Sequence, residues 1–171
     1  MTTIRNWYVV YTKPNTEKKF TEQVSCIKSG CDVFLPLQVE KKQWSDRVKS
    51  ISTPLFKSYV FVYVDDFEYH HIKRLNGFVD YIKFNGKPSI VSPTEVAKIK
   101  AVIASGYRCE PVPNQLSVGC IAEIKVGALK GYQGKLLEHK NDSVFAIEIQ
   151  GLDQSLLMSV PKDMLQIVEA S

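Results

Sequence analysis

Apolar residues first gather in NWYVVYT, Asn6 to Thr12, whose β-branched and aromatic density predicts a strand. KPNTEKKFTEQVSCIKSG then changes period: Phe20, Val24 and Ile27 fall at i, i+4 and i+7, one stripe of a helix. Pro14 suits its first turn and Gly30 its C-terminal stop. CDVFLPLQVEKKQW returns to strand, with Pro36 marking an edge or bulge, and the polar basic tip KKQWSDRVKS leads into LFKSYVFVYV. Read as one strand, Leu55 to Val64 has two apolar faces. Phe56, Ser58, Val60, Val62 and Val64 form a compact face; Leu55, Lys57, Tyr59, Phe61 and Tyr63 form an aromatic one. A strand apolar on both sides needs two coverings, and the second need not belong to the same chain.

DDFEYHHIKRLNG predicts a second helix between an acidic cap and Asn76-Gly77. FVDYIKFNGKPSIV predicts a strand, an Asn85-Gly86 turn and a short return. SPTEVAKIKAVIAS predicts a third helix, with Ser92 as cap, Pro93 at the first position, Glu95 completing a capping box, and Val96, Ile99, Val102 and Ile103 as its stripe. The order β-α-β-β-α-β-α implies an α+β domain, residues 1–105, with a largely antiparallel sheet flanked by helices. GYRCEPVPNQLSVG, with Pro111 and Pro113, interrupts the pattern, so residues 106–115 are expected to be a linker. Beyond it IAEIKV, GKLLEHK, SVFAIEI and SLLMSVP are strand signals, separated by Gly127, Gly131, Gly134, Asn141-Asp142 and Gly151. Residues 116–171 are therefore expected to form a second domain, a small closed β-barrel without open edges.

Charge sharpens this division. Residues 1–115 carry 17 Lys and Arg against 11 Asp and Glu, a net +6, whereas residues 116–171 carry 5 against 7, a net −2. A basic front half points to a polyanionic partner for that half. No apolar run reaches the span of a membrane helix and no secretory signal is evident, so a cytoplasmic protein is expected. Cys26, Cys31, Cys109 and Cys120 show no Cys-x-x-Cys spacing and read as free thiols, with a Cys26–Cys31 disulfide as the alternative.

Three stretches of the front half, WYVVYTKPNTEKKF, PLFKSYVFVYV and GFVDYIKFNGKPSIVSPTEV, resemble the N-terminal domain of the NusG family of transcription elongation factors. VGCIAEIKVGALKGYQGKLLE resembles the KOW motif that follows it in the family. WYVVYTKPNTEKK, VFLPLQ and QWSDR are similar to the specialised UpxY-type paralogues, which act as antiterminators of polysaccharide operons. One departure stands out: the family usually has Pro-Gly or Pro-Asn where this chain has Lys57 and Ser58.

The resemblance implies an N-terminal domain that binds the clamp helices of RNA polymerase, and an SH3-like C-terminal barrel. Phe56 and Tyr59 match the motif aromatics, with Tyr11 and Phe61 as neighbours in the polymerase-binding set. His70, His71, Lys73 and Arg74 fall on the helix with which a related paralogue contacts displaced non-template DNA; Lys13, Lys18 and Lys19 open the first helix. Each has an ordinary alternative: the aromatics as core packing, the cations as a solvated helix face. Lys41–Trp44 and Asp46–Lys49 face nucleic acid or polymerase in this reading. The barrel's expected partner is a ribosomal protein or a termination factor, bound near QGLDQSLLMSV, where Leu152 stands in place of the family's aromatic. A general NusG acting on all operons and a ribosome-associated KOW RNA-binding protein are the rival readings. No nucleophile–base pair, phosphate loop or metal-ligand spacing is apparent, so neither catalysis nor a cofactor is expected. His70 and His71 are adjacent on a helix, about 100° apart, and do not converge on one metal.

Overall fold

A computed structural model describes residues 3–27, 30–114, 119–138 and 143–169. The chain divides into two compact units, Met1–Thr94 and Glu95–Ser171. In chain order the first unit contains β1 (Asn6–Thr12), α1 (Glu17–Ser25), β2 (Asp32–Phe34), β3 (Leu37–Gln43), β4 (Val48–Pro54) and β5 (Tyr59–Val64). It continues with α2 (Asp66–Ile72), β6 (Phe78–Tyr81), β7 (Lys83–Phe84), β8 (Lys87–Pro88) and β9 (Ile90–Val91). The helix α3 (Pro93–Ala104) begins at its end.

The main sheet of the first unit runs β2-β5-β1-β6, all neighbours antiparallel, and β9 lies against the other end of the β1 edge that β6 occupies. β1 and β5 pair over their length, from Asn6↔Val64 to Tyr11↔Tyr59. Alternation then sorts the two faces. Val10, Val60, Val62 and Val64 join Phe20 and Val24 of α1 and Ile72 of α2 in one buried cluster. Both helices therefore cover the same side of the sheet, and Trp7, Val9, Tyr11, Tyr59, Phe61 and Tyr63 share the side without them.

Several expected elements differ. Leu55–Val64 is not a single strand: Leu55–Ser58 forms a turn and β5 starts at Tyr59. Ser58 has φ of +63°, which no strand residue adopts. CDVFLPLQVEKKQW also divides, because Leu35-Pro36 separates β2, which joins the main sheet, from β3, which pairs only with β4 in a hairpin of its own. Asn85 and Gly86, with φ of +50° and +76°, make the expected tight turn between β7 and β8.

The second unit holds most of α3, then β10 (Cys109–Pro113), β11 (Cys120–Ile124), β12 (Gln133–Glu138), β13 (Ser143–Ile149), β14 (Gln154–Ser159) and β15 (Leu165–Glu169). These strands form one antiparallel sheet in the order β10-β14-β13-β12-β11-β15. Residues 106–115, expected as a linker, thus carry a strand: β10 pairs with β14 from Cys109↔Met158 to Pro113↔Gln154. Prolines are tolerated there because β10 ends the sheet path and needs no outward N–H. Within this unit Glu95 of α3 accepts from the Gln150 backbone N–H at 3.0 Å and from Lys98 Nζ at 2.6 Å. Gly134, expected in a turn, lies inside β12, where a Cβ would come within 2.3 Å of the Ala146 carbonyl oxygen. Two strands approach too closely there for any side chain.

Candidate docking face and nucleic-acid interface

The side of the first sheet turned away from α1 and α2 is built from cross-strand aromatic pairs. Trp7 faces Tyr63 with ring centroids 5.3 Å apart, and Tyr11 meets Tyr59 edge-on at 6.1 Å. Phe34 on β2 lies 5.8 Å from Phe61, and Phe56, in the turn before β5, stacks on Tyr59 at 6.4 Å and lies 6.2 Å from Phe61. Phe61 and Phe56 are buried, Tyr59 is half-buried, and Tyr11 is 40% exposed. The expected polymerase-binding set thus comes together, but in two layers. Phe56 and Phe61 are the floor, and Tyr59 and Tyr11 present the accessible surface. Burial, then the neighbouring Tyr11, holds the Tyr59 hydroxyl above the ordinary phenol range, so it remains a hydrogen-bond donor at neutral pH.

The floor is set by a clamped turn. Tyr59 N–H bonds back to the Phe56 carbonyl at 3.3 Å, so Ser58 occupies the third position of a turn that favours Gly or Asn. Its left-handed backbone is held from both ends. The Ser58 N–H donates to buried Glu17 Oε1 at 2.8 Å, and the Ser58 carbonyl accepts from the Thr12 N–H at 2.8 Å. The Lys57-Ser58 departure therefore keeps the bend that glycine or asparagine would give.

α2 opens with a full capping box: Asp65 Oδ1 accepts from the Glu68 N–H at 2.9 Å, and Glu68 Oε2 accepts from the Asp65 N–H at 3.0 Å. Glu68 is buried, and its other oxygen accepts from Arg5 Nη2 at 3.0 Å. With its buried side fixed, α2 turns His70 and His71 to solvent, and Lys73 and Arg74 follow in the closing turn. Tyr69 organises two of them. It stacks on Tyr81 at 4.0 Å, lies edge-on to His70 at 5.3 Å, and carries Lys73 Nζ 4.8 Å above its ring.

Backbone contacts bring the first helix to the same place. Lys13, expected to open that helix, lies ahead of it, directly after β1, and its N–H donates to the Gly77 carbonyl at 2.9 Å, while Gln23 of α1 grips Asn76 through both its amide atoms. Lys13 and Lys19 are exposed beside this turn, whereas Lys18 points elsewhere, its Nζ donating to the Ser52 carbonyl of β4 at 2.9 Å. Phe67 was missed in the sequence. It is 79% exposed and lies one turn before His71 on α2. Its signal was its place off the helix's buried residues, Glu68 and Ile72.

In the second unit Leu152, the residue standing for an expected aromatic contact, is buried in the β13–β14 turn, only 4% exposed. All four cysteines are free thiols, so the Cys26–Cys31 disulfide is not formed. Among the described residues no helix is long and apolar enough to cross a membrane, and no group of three or more His, Cys, Asp or Glu is placed to hold a metal ion.

By class the chain is a transcription factor. Residues 5–100 match the family described as "Transcription termination factor nusG", more than half of the sequence, and the chain belongs to the NusG family. No curated protein matches the sequence. Among solved structures, one titled "Domain interaction in Thermotoga maritima NusG" is similar at a TM-score of 0.62 and 18% identity, covering 97% of this chain and 98% of that one. A structure of the MjSpt4:Spt5 complex also matches, at 16% identity over 96% of this chain and 99% of that one, with a TM-score of only 0.33. The Thermotoga likeness is one of fold.

Proposed function

We propose that this protein is an elongation and antitermination factor that binds the clamp helices of RNA polymerase through Tyr59 and Tyr11, over a floor of Phe56 and Phe61. The observation that carries this reading is the aromatic face itself. On the side away from α1 and α2, half-buried and exposed tyrosines sit above buried phenylalanines, a rigid anchor for a helical tip. A bridge that forms only with the clamp closed shifts the population of polymerase toward the closed, processive state. α2 then lies along displaced non-template DNA. Lys73, Arg74, Lys13 and Lys19 meet phosphates, and His70 and His71, with Phe67 beside them, meet unpaired bases.

The second unit, read as a KOW barrel, recruits a ribosomal protein or a termination factor. Similarity of WYVVYTKPNTEKK, VFLPLQ and QWSDR to UpxY-type paralogues favours action on particular polysaccharide operons in the cytoplasm over general action. The test is co-purification and run-through. The chain should be retained on assembled elongation complexes rather than ribosomal subunits, and should raise read-through of a terminator in its target operon. Retention on ribosomal subunits alone would favour the RNA-binding rival.

A further inference from the structure

The β3–β4 hairpin belongs to neither surface above. Its two strands pair with each other alone, from Leu37↔Pro54 to Gln43↔Val48, and every residue from Lys41 to Ser50 is exposed. At its base it is tied down: the Leu55 N–H donates to the Pro36 carbonyl at 2.8 Å, and Lys18 of α1 donates to Ser52. Toward the tip its chemistry becomes unfavourable for a free surface. Lys42 and Lys49 are directly opposed across the strands, an arrangement in which like charges repel. Lys41 and Arg47 add to them, against Asp46 alone in the exposed stretch. Trp44, 60% exposed, sits at the turn, which is closed by its N–H donating to the Arg47 carbonyl at 2.8 Å. Val48 beside it is 62% exposed.

We infer that this hairpin is a separate contact for double-stranded DNA, with Lys42 and Lys49 on flanking phosphates and Trp44 leading into a groove. Opposed cations become favourable when phosphates lie between and beside them, and an apolar tip finds cover against sugar and base edges. A two-stranded ribbon fits the major groove of B-form DNA, whereas the corresponding groove of an RNA duplex is too deep and narrow. α2 by contrast offers rings and cations suited to unpaired strands, so the two surfaces separate by form of nucleic acid.

The experiment is a salt titration of binding by the full chain, read by anisotropy, with a short DNA duplex, the corresponding single strand and an RNA duplex. For Lys42→Ala/Lys49→Ala the log–log salt slope with duplex DNA should fall by about 1.8, that is about 0.9 per lost phosphate contact, and the single-strand slope should stay unchanged. Duplex DNA should also quench tryptophan emission of the unsubstituted chain, and Trp44→Phe should abolish that quench. All three positions are exposed, so the variants should melt as the parent does. An unchanged duplex slope in the double variant, equal binding to the RNA duplex, or full competition by poly-aspartate would overturn the assignment. The last outcome would make the hairpin a surface for acidic protein.

Discussion

Removing one carboxylate should loosen the whole docking face. Glu17→Ala leaves the Ser58 N–H without its acceptor in a buried turn, since Glu17 Oε1 stands 2.8 Å away and both residues are buried. An unsatisfied buried donor costs about 1–3 kcal/mol. Taking about 2 kcal/mol, and about 4–8 °C per kcal/mol for a unit of this length, the first unit should melt about 8–16 °C lower. Glu17→Gln keeps an oxygen acceptor but loses the charge, and should cost about 1 kcal/mol. Both substitutions remove an acidic group from the first turn of α1, a loss of about 0.3–1 kcal/mol that is common to the pair and cancels between them. The readout is unusually clean, because Trp7 and Trp44, the only tryptophans, both belong to the first unit. Tryptophan fluorescence in a urea titration therefore follows that unit. Polymerase affinity measured well below the unfolding midpoint should fall more for alanine than for glutamine, as Phe56 and Tyr59 lose their fixed turn. An alanine variant within about 0.5 kcal/mol of the parent would refute the clamp. Equal losses for the two variants would assign the effect to charge and not to the hydrogen bond.

Ser58→Gly should raise stability by about 1 kcal/mol, because glycine adopts φ near +63° without the steric cost of a Cβ; thermal melts of the pair check it. Phe67→Ala should leave stability unchanged and weaken single-stranded DNA binding by about 1–3 kcal/mol, whereas Lys73→Ala/Arg74→Ala should lower the single-strand salt slope by about 1.4, both read by salt titration. Burial pushes the Cys109 thiol up to about 11 while Cys26 is exposed, so pulse alkylation near pH 8 followed by peptide mapping should label Cys26 and spare Cys109. The unfolded Cys109 thiol titrates near 9.0, so its contribution to stability is complete below that pH and is lost as pH rises toward 11.

The two-faced character of the central strand was legible because strand periodicity is local. Val60, Val62 and Val64 sort from Tyr59, Phe61 and Tyr63 by alternation alone, and the structure keeps that sorting. The turn at Ser58 was not legible. It depends on Glu17, 41 residues away, and on a serine in a conformation that glycine or asparagine usually marks. β10 was hidden by Pro111 and Pro113, which read as linker residues until an edge position makes them harmless. The acidic start of α2 was visible, whereas Arg5, which holds the capping glutamate from the far side of the sequence, was not. Among the site residues, alternation misplaced Phe56: it set Phe56 on the compact face, whereas the turn before β5 swings it under Tyr59 and against Phe61, and only packing separates floor from surface.

The central claim is that the accessible tyrosines of this face hold RNA polymerase. Its most direct test is the affinity of the full chain for a clamp-helix fragment, compared between the parent and Tyr59→Ala, with a melting curve recorded for each. Tyr59 is half-buried against Phe56 and Tyr11, so truncation should spare the fold while removing the anchor. A central aromatic anchor is worth about 2 kcal/mol or more, so binding should weaken roughly thirtyfold. Unchanged affinity in a variant that melts normally would contradict the account.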